Sequence, residues 1–306
     1  MYIDNYIPHQ NKEYFERGNR WYHELHDFFI DAKDIPYAIL KGEALSIKAY
    51  GDMGYRRSGD IDILISRNSI PLIHNILEKH GFKSIASNTD GTCRSLTRRE
   101  IIMFAMSHQV CPYEKDDINI DINVDLFWGE YRGPRLDIDK LLKESTECVE
   151  IHQQKVKTLN DVTSFVALCL HHYREMNAIY FMKYSNPFQI KYYRDVYYLF
   201  KSRLTNNIDE IISFSKHYNI DPYVFYVLYL TNLIYHDAHI NDLLDNLRSK
   251  ESVDLIDYYG LSFSEKRKWP VDFFERLDRE EIFSLIENQL TEADIQKINN
   301  NWSVYN

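Results

Sequence analysis

A chain of 306 residues, 44% hydrophobic and 27% charged, has ordinary globular composition and is long enough for a substantial core and two units. Its formal net charge of −10 excludes broad, sequence-blind nucleic-acid binding, which needs a basic surface, but not a local basic pocket. The first residues, MYIDNYIPHQNKEYFERG, lack the apolar stretch of a signal peptide, and no apolar run reaches membrane-spanning length. Cys93, Cys111, Cys148 and Cys169 are scattered without a CxxC pair, so a reduced, cytoplasmic protein away from membranes is expected.

The elements follow in chain order. EYFERGNRWYHELHDFFIDA reads as one helix, and PYAILKG as a short buried strand that ends in a glycine turn. GEALSIKAY is helical and DIDILIS is a second strand. NSIPLIHNILEKHGF is a helix with Asn68 or Ser69 as cap, Pro71 in the first turn and Gly81 at its end. FKSIAS, REIIMFAMSHQVC and NINIDINVDLFW read as further strands. The last sends Ile120, Ile122, Val124 and Leu126 to one face and Asp121, Asn123 and Asp125 to the other. From about residue 160 the pattern turns helical, through DVTSFVALCLHHYREMNAI, QIKYYRDVYYLFKSRL, IDEIISFSKHY and DPYVFYVLYLTNLIYH. The expected organisation is a catalytic α/β-type unit over 1–155 and a helical unit over 156–306.

Chemistry concentrates between Leu40 and Ile65. Asp60 and Asp62 stand two residues apart at the mouth of an apolar strand, so both side chains fall on one face. Two carboxylates so placed repel unless a cation lies between them, and Mg2+ (or Mn2+) is the expected one. A third carboxylate from a neighbouring strand would complete a two-metal site. Asp125 is the first candidate and Asp121 the second. Lys41-Gly42 follows a strand and opens a helix, which suits close approach of phosphate to backbone N–H groups. Arg56 and Arg57 precede the aspartates, and Arg56 is the favoured phosphate-binding side chain.

These residues resemble the uncharacterised bacterial nucleotidyltransferase family of the polymerase-β-like superfamily. The likeness runs through Leu40-Lys41-Gly42, Ala44-Leu45, Tyr50, Arg56 and Gly59-Asp60-Ile61-Asp62-Ile63-Leu64-Ile65 to Val124-Asp125-Leu126-Phe127-Trp128. Beyond these it continues more loosely through His171 and Arg194-Asp195. The resemblance implies an α+β fold: a small mixed β-sheet flanked by helices, with a mainly helical C-terminal half. It also implies an NTP donor, two magnesium ions held by Asp60, Asp62 and Asp125, and transfer of a nucleotidyl group to a hydroxyl with release of pyrophosphate. Two departures stand out. Gly42-Glu43 occupies a turn where the superfamily has Gly-Ser or Gly-Gly, so Glu43 must point away from phosphate. Phe127 replaces a histidine.

Other readings rest on fewer residues. His23/His26 and His236/His239 lie at i and i+3 without a third metal ligand at useful spacing, and His171-His172 reads as packed helix histidine or as a cleft residue. Acidic net charge favours a small molecule, peptide or protein as acceptor over tRNA. A non-catalytic nucleotide-binding module and a DxD glycosyltransferase are the alternative functions.

Overall fold

The computed structural model describes residues 11–84, 86–87, 93–94, 97–99, 104 and 107–305. The N-terminal helical stretch forms two helices, α1 (Lys12–Glu24) and α2 (His26–Asp31). They break at Leu25, which is fully buried and closes α1 by donating its N–H to the Trp21 carbonyl. Asn11 caps α1 by accepting from the Tyr14 N–H. Then come β1 (Tyr37–Ile39), α3 (Glu43–Tyr50), β2 (Ile61–Ile65) and α4 (Ile70–Lys79). Ser69 stands at the N-cap of α4 without a capping bond. A 3-10 turn over Arg67–Ser69 runs into the helix there, and Ser66 caps that turn.

Strands β3 (Lys83–Ser84), β4 (Tyr113–Lys115), β5 (Ile118–Asn123), β6 (Thr146–Ile151) and β7 (Gln154–Leu159) complete a seven-stranded mixed sheet of order β3-β4-β5-β2-β1-β7-β6. β2 runs antiparallel to β1 and parallel to β5, and β1 runs parallel to β7. The expected strand over FKSIAS is cut to β3, with Ala86–Ser87 pairing separately with Cys93–Arg94. Six of the thirteen residues of REIIMFAMSHQVC lie outside the described residues, and its last part contributes the Gln109 bridge to Asn123. β5 ends at Asn123 and not at Trp128, because Asn123 bridges to Gln109 and the Val124 N–H turns to the His108 carbonyl. Ile61, Ile63 and Ile65 of β2 and Ile120 and Ile122 of β5 enter one core cluster with Trp21, Phe28 and Leu77 from the helices. Alternation therefore sends Asp62, Leu64, Asp121 and Asn123 to the opposite face.

Two compact units divide the chain: one runs to Leu126 and takes in Arg135–Ser164, and the other comprises Phe127–Pro134 and everything from Phe165. The first unit includes β7, which pairs with both β1 and β6. The second is helical, built on Ile190–Arg203, Ile208–His217, Asp221–Tyr235 and Ala238–Leu247 together with most of Asp161–Asn177. Cys111, Cys148 and Cys169 are free thiols. Among the described residues no helix is long and apolar enough to cross a membrane.

Candidate active site

The site begins where β1 ends. The Leu40 N–H donates to the Asp62 carbonyl at 3.0 Å, which ties the turn to β2. Gly42 takes φ 66°, ψ −130°, a conformation that favours glycine. A Cβ there would also stand 3.0 Å from Ser58 Oγ. The first turn of α3 opens at this glycine, and such a helix start offers N–H groups to phosphate oxygens. Glu43 lines the small cavity beside that turn, with its carboxylate engaged within the protein. It is buried, its Oε2 accepts the Gly54 N–H at 3.1 Å, and its Oε1 lies 3.7 Å from His152 Nε2. The His152 ring packs against Phe15 and Tyr22. Glu43 thus braces the loop that carries Arg56 and Arg57.

The strand register brings the carboxylates together. Asp62 of β2 and Asp121 of β5 are direct partners across the parallel pair. Lys41 Nζ makes an ion pair with Asp62 Oδ2 at 2.9 Å, and the Asn123 amide donates to Asp62 Oδ1 at 3.3 Å. Burial, then the charges of Asp62 and Asp60, push the Asp121 carboxyl up to about 7, against the opposing pull of Lys41 and the Gln109 amide. Asp121 therefore shares its surroundings with both predicted aspartates and with Lys41. Asp125 lies beyond the end of β5, and its Oδ2 pairs with Arg135 at 2.5 Å. A narrow cavity beside the turn is lined by Lys41, Gly42, Ser58 and Asp60, and by Tyr14 and Arg17 from α1. Asp60, Asp62 and Asp121 are oxygen donors, the type a hard divalent cation takes, and burial first, then the two neighbouring carboxylates, raises the Asp121 pKa.

A family model described as an uncharacterised nucleotidyltransferase matches residues 9–236. The chain belongs to that family. Its general activity is accordingly that of a nucleotidyltransferase. No curated protein matches the chain.

The remaining residues of interest in this nucleotidyltransferase fall outside the carboxylate cluster. Arg56 is half-buried and Arg57 exposed in the loop before Asp60. Phe127, where the family pattern has histidine, is fully buried and stacks on Tyr131 at 4.0 Å, a packing role with no polar part. In the helical unit His171, His172 and Glu175 bring three metal-type donors within 4.8 Å of one another. Arg174 Nη2 donates to His171 Nδ1 at 3.1 Å, which directs the His171 Nε2–H to Glu175 Oε1, also at 3.1 Å. That arrangement is a hydrogen-bonded relay with its own cation. Asp195 is buried. Asp237, beside His236, caps the helix Ala238–Leu247 and pairs with Lys201. His26 bonds Gln154. Sequence reasoning passed over Asn123 and Arg17. Asn123 was visible on the polar face of its strand, whereas Arg17 carried no motif at all.

Proposed function

We propose that the chain transfers a nucleotidyl group from an NTP to an acceptor hydroxyl with release of pyrophosphate. Asp60, Asp62 and Asp121 would hold Mg2+ or Mn2+. The observation that carries the reading is the Asp62–Asp121 register beside the Gly42 turn, which sets a carboxylate cluster next to a phosphate-type helix start. Glu43, the one residue that favoured a non-catalytic module, is buried and its carboxylate accepts the Gly54 N–H, a structural role beside the turn. Asp121, the second candidate on this strand, takes the place of Asp125 in this proposal because the β2–β5 register sets Asp121 against Asp62.

When bound, the metal would offset the charge of the triphosphate and of the carboxylates around it. The chain's own groups do the rest. The Gly42 turn and the start of α3 receive phosphate oxygens, and Arg56 adds a cation from the loop. The acceptor oxygen attacks the α-phosphorus, the bond from that phosphorus to the bridging α–β oxygen breaks, and pyrophosphate leaves with the electron pair. The hydroxyl proton passes to a carboxylate oxygen of the Asp60, Asp62 and Asp121 group. The acidic net charge favours a small molecule, peptide or protein acceptor over RNA.

Calorimetric titration of each of the four NTPs, with and without Mg2+, tests this reading on the wild type and on Asp60→Asn/Asp62→Asn. Magnesium-dependent binding that the double variant loses is expected. Equal binding by the folded double variant would overturn the metal assignment.

A further inference from the structure

Arg17 lines the same cavity as the phosphate turn although it comes from α1. Three contacts hold α1 there. The Asn11 N–H donates to the Gly54 carbonyl at 2.9 Å, Arg17 Nη2 donates to the Ser58 carbonyl, and Gly18 passes so near Glu43 that a Cβ would overlap its Oε1. Glycine inside a helix is destabilising, so its presence here marks a close approach that any side chain would block. The adjoining residue, Arg17, is thereby set over the turn.

The guanidinium of Arg17 is half-buried, 5.0 Å from the Trp21 ring and 5.8 Å from that of Tyr14. Among the described residues it makes no ion pair. Its neighbours in charge do: Arg20 pairs with Asp117, Lys41 with Asp62 and Arg135 with Asp125. Arg17 is a partly desolvated cation at a cavity lined also by Lys41, Gly42 and Ser58 and by the carboxylates Glu43 and Asp60; with Glu43 bonded to Gly54 and a metal ion on Asp60, it is suited to an anion from outside the chain. Lys41 is committed to Asp62, so from the α1 side of the turn Arg17 supplies a cation for phosphate, alongside Arg56 from the loop.

We infer that Arg17 binds the terminal phosphates of the nucleoside triphosphate and so makes the protein bind triphosphate in preference to monophosphate. This rests on the nucleotidyltransferase reading of the same turn. Its guanidinium fork takes two phosphate oxygens, while the stacking on Trp21 holds the fork in place.

Binding of inorganic tripolyphosphate, of each NTP with Mg2+ and of each NMP tests it, on wild type, Arg17→Gln, Arg17→Lys and the control Arg20→Ala. Arg17→Gln keeps most of the stem and removes the charge. It should weaken tripolyphosphate and NTP binding by about tenfold to a hundredfold and leave NMP binding unchanged. Arg17→Lys should recover part of the loss, and Arg20→Ala should match wild type. If Arg17→Gln binds tripolyphosphate and NTP as wild type does, the role of Arg17 is overturned and the active-site reading stands. A loss that extends equally to NMP, or that Arg17→Lys does not relieve at all, would assign Arg17 to structure and also overturn the inference. Failure of wild type to bind NTP or tripolyphosphate would overturn both.

Discussion

Asp121 is where the electrostatics of the site concentrate. Its carboxyl is raised from 3.8 to about 7 by burial and by Asp62 and Asp60. A folded-state pKa above the unfolded value means that the folded protein holds the proton more tightly. The stability this contributes is complete below about pH 4 and is lost as pH rises through about 7. Metal-free protein should therefore melt at falling temperature from pH 5 to pH 8, and Asp121→Asn should flatten that slope in scanning calorimetry. An unchanged slope in the variant would place the titrating group elsewhere. Mg2+ should stabilise most above pH 7, where the carboxylate is ionised. At this scale the Asp60/Asp62 pair and the Gly42 turn were legible, since spacing alone places two carboxylates on one face and a glycine before a helix. Which aspartate of β5 stands against Asp62 was not. Asp121 and Asp125 fall on the same face of an alternating strand, and sliding the strand by four residues leaves a period of two unchanged. Only the pairing with β2 distinguishes them, and it sets Asp121 against Asp62.

Among the elements, α3 is held at both ends. Its start is fixed by Gly42 and by the inward turn of Glu43, and towards its end Lys48 is buried. Lys48 Nζ reaches Glu147 Oε1 at 2.5 Å, the Leu159 carbonyl at 2.7 Å and Asp161 Oδ1 at 2.9 Å. That clasp joins α3 to β6, to the end of β7 and to the helix that follows. Lys48→Met should cost about 1–3 kcal/mol in urea unfolding, chiefly from the bonds lost at the Leu159 carbonyl and the carboxylates. Glu147 and Asp161 are both partly exposed and regain water, which keeps the loss below that of a fully buried pair. No loss would show the clasp to be dispensable. The β6–β7 hairpin itself was missed in the sequence for a physical reason. Its turn is His152-Gln153, with φ 46° and 65°, where a tight hairpin normally signals itself with Asn-Gly or Asp-Gly. Packing of the His152 ring against Phe15 and Tyr22 accompanies the positive φ that composition does not announce.

For the whole molecule, the helical half was read more easily than the sheet, because each helix buries one stripe and local period suffices to find it. The chain's 24 tyrosines belong to the same logic: Tyr173, Tyr193 and Tyr226 are buried, and burial raises their phenol pKa values. Tyr173 packs edge-on to Tyr226 and tilted against Trp128, so much of the aromatic excess is core. Length and periodicity carry no trace of the acceptor, which depends on a surface and not on a stripe. The proposed chemistry requires a divalent cation among Asp60, Asp62 and Asp121. Electron paramagnetic resonance titration of Mn2+, with the NTP that binds wild type, tests it on wild type, Asp121→Asn and Asp125→Asn. The account predicts that Asp121→Asn loses the bound Mn2+ signal and that Asp125→Asn keeps it. Loss in Asp125→Asn with retention in Asp121→Asn would contradict it.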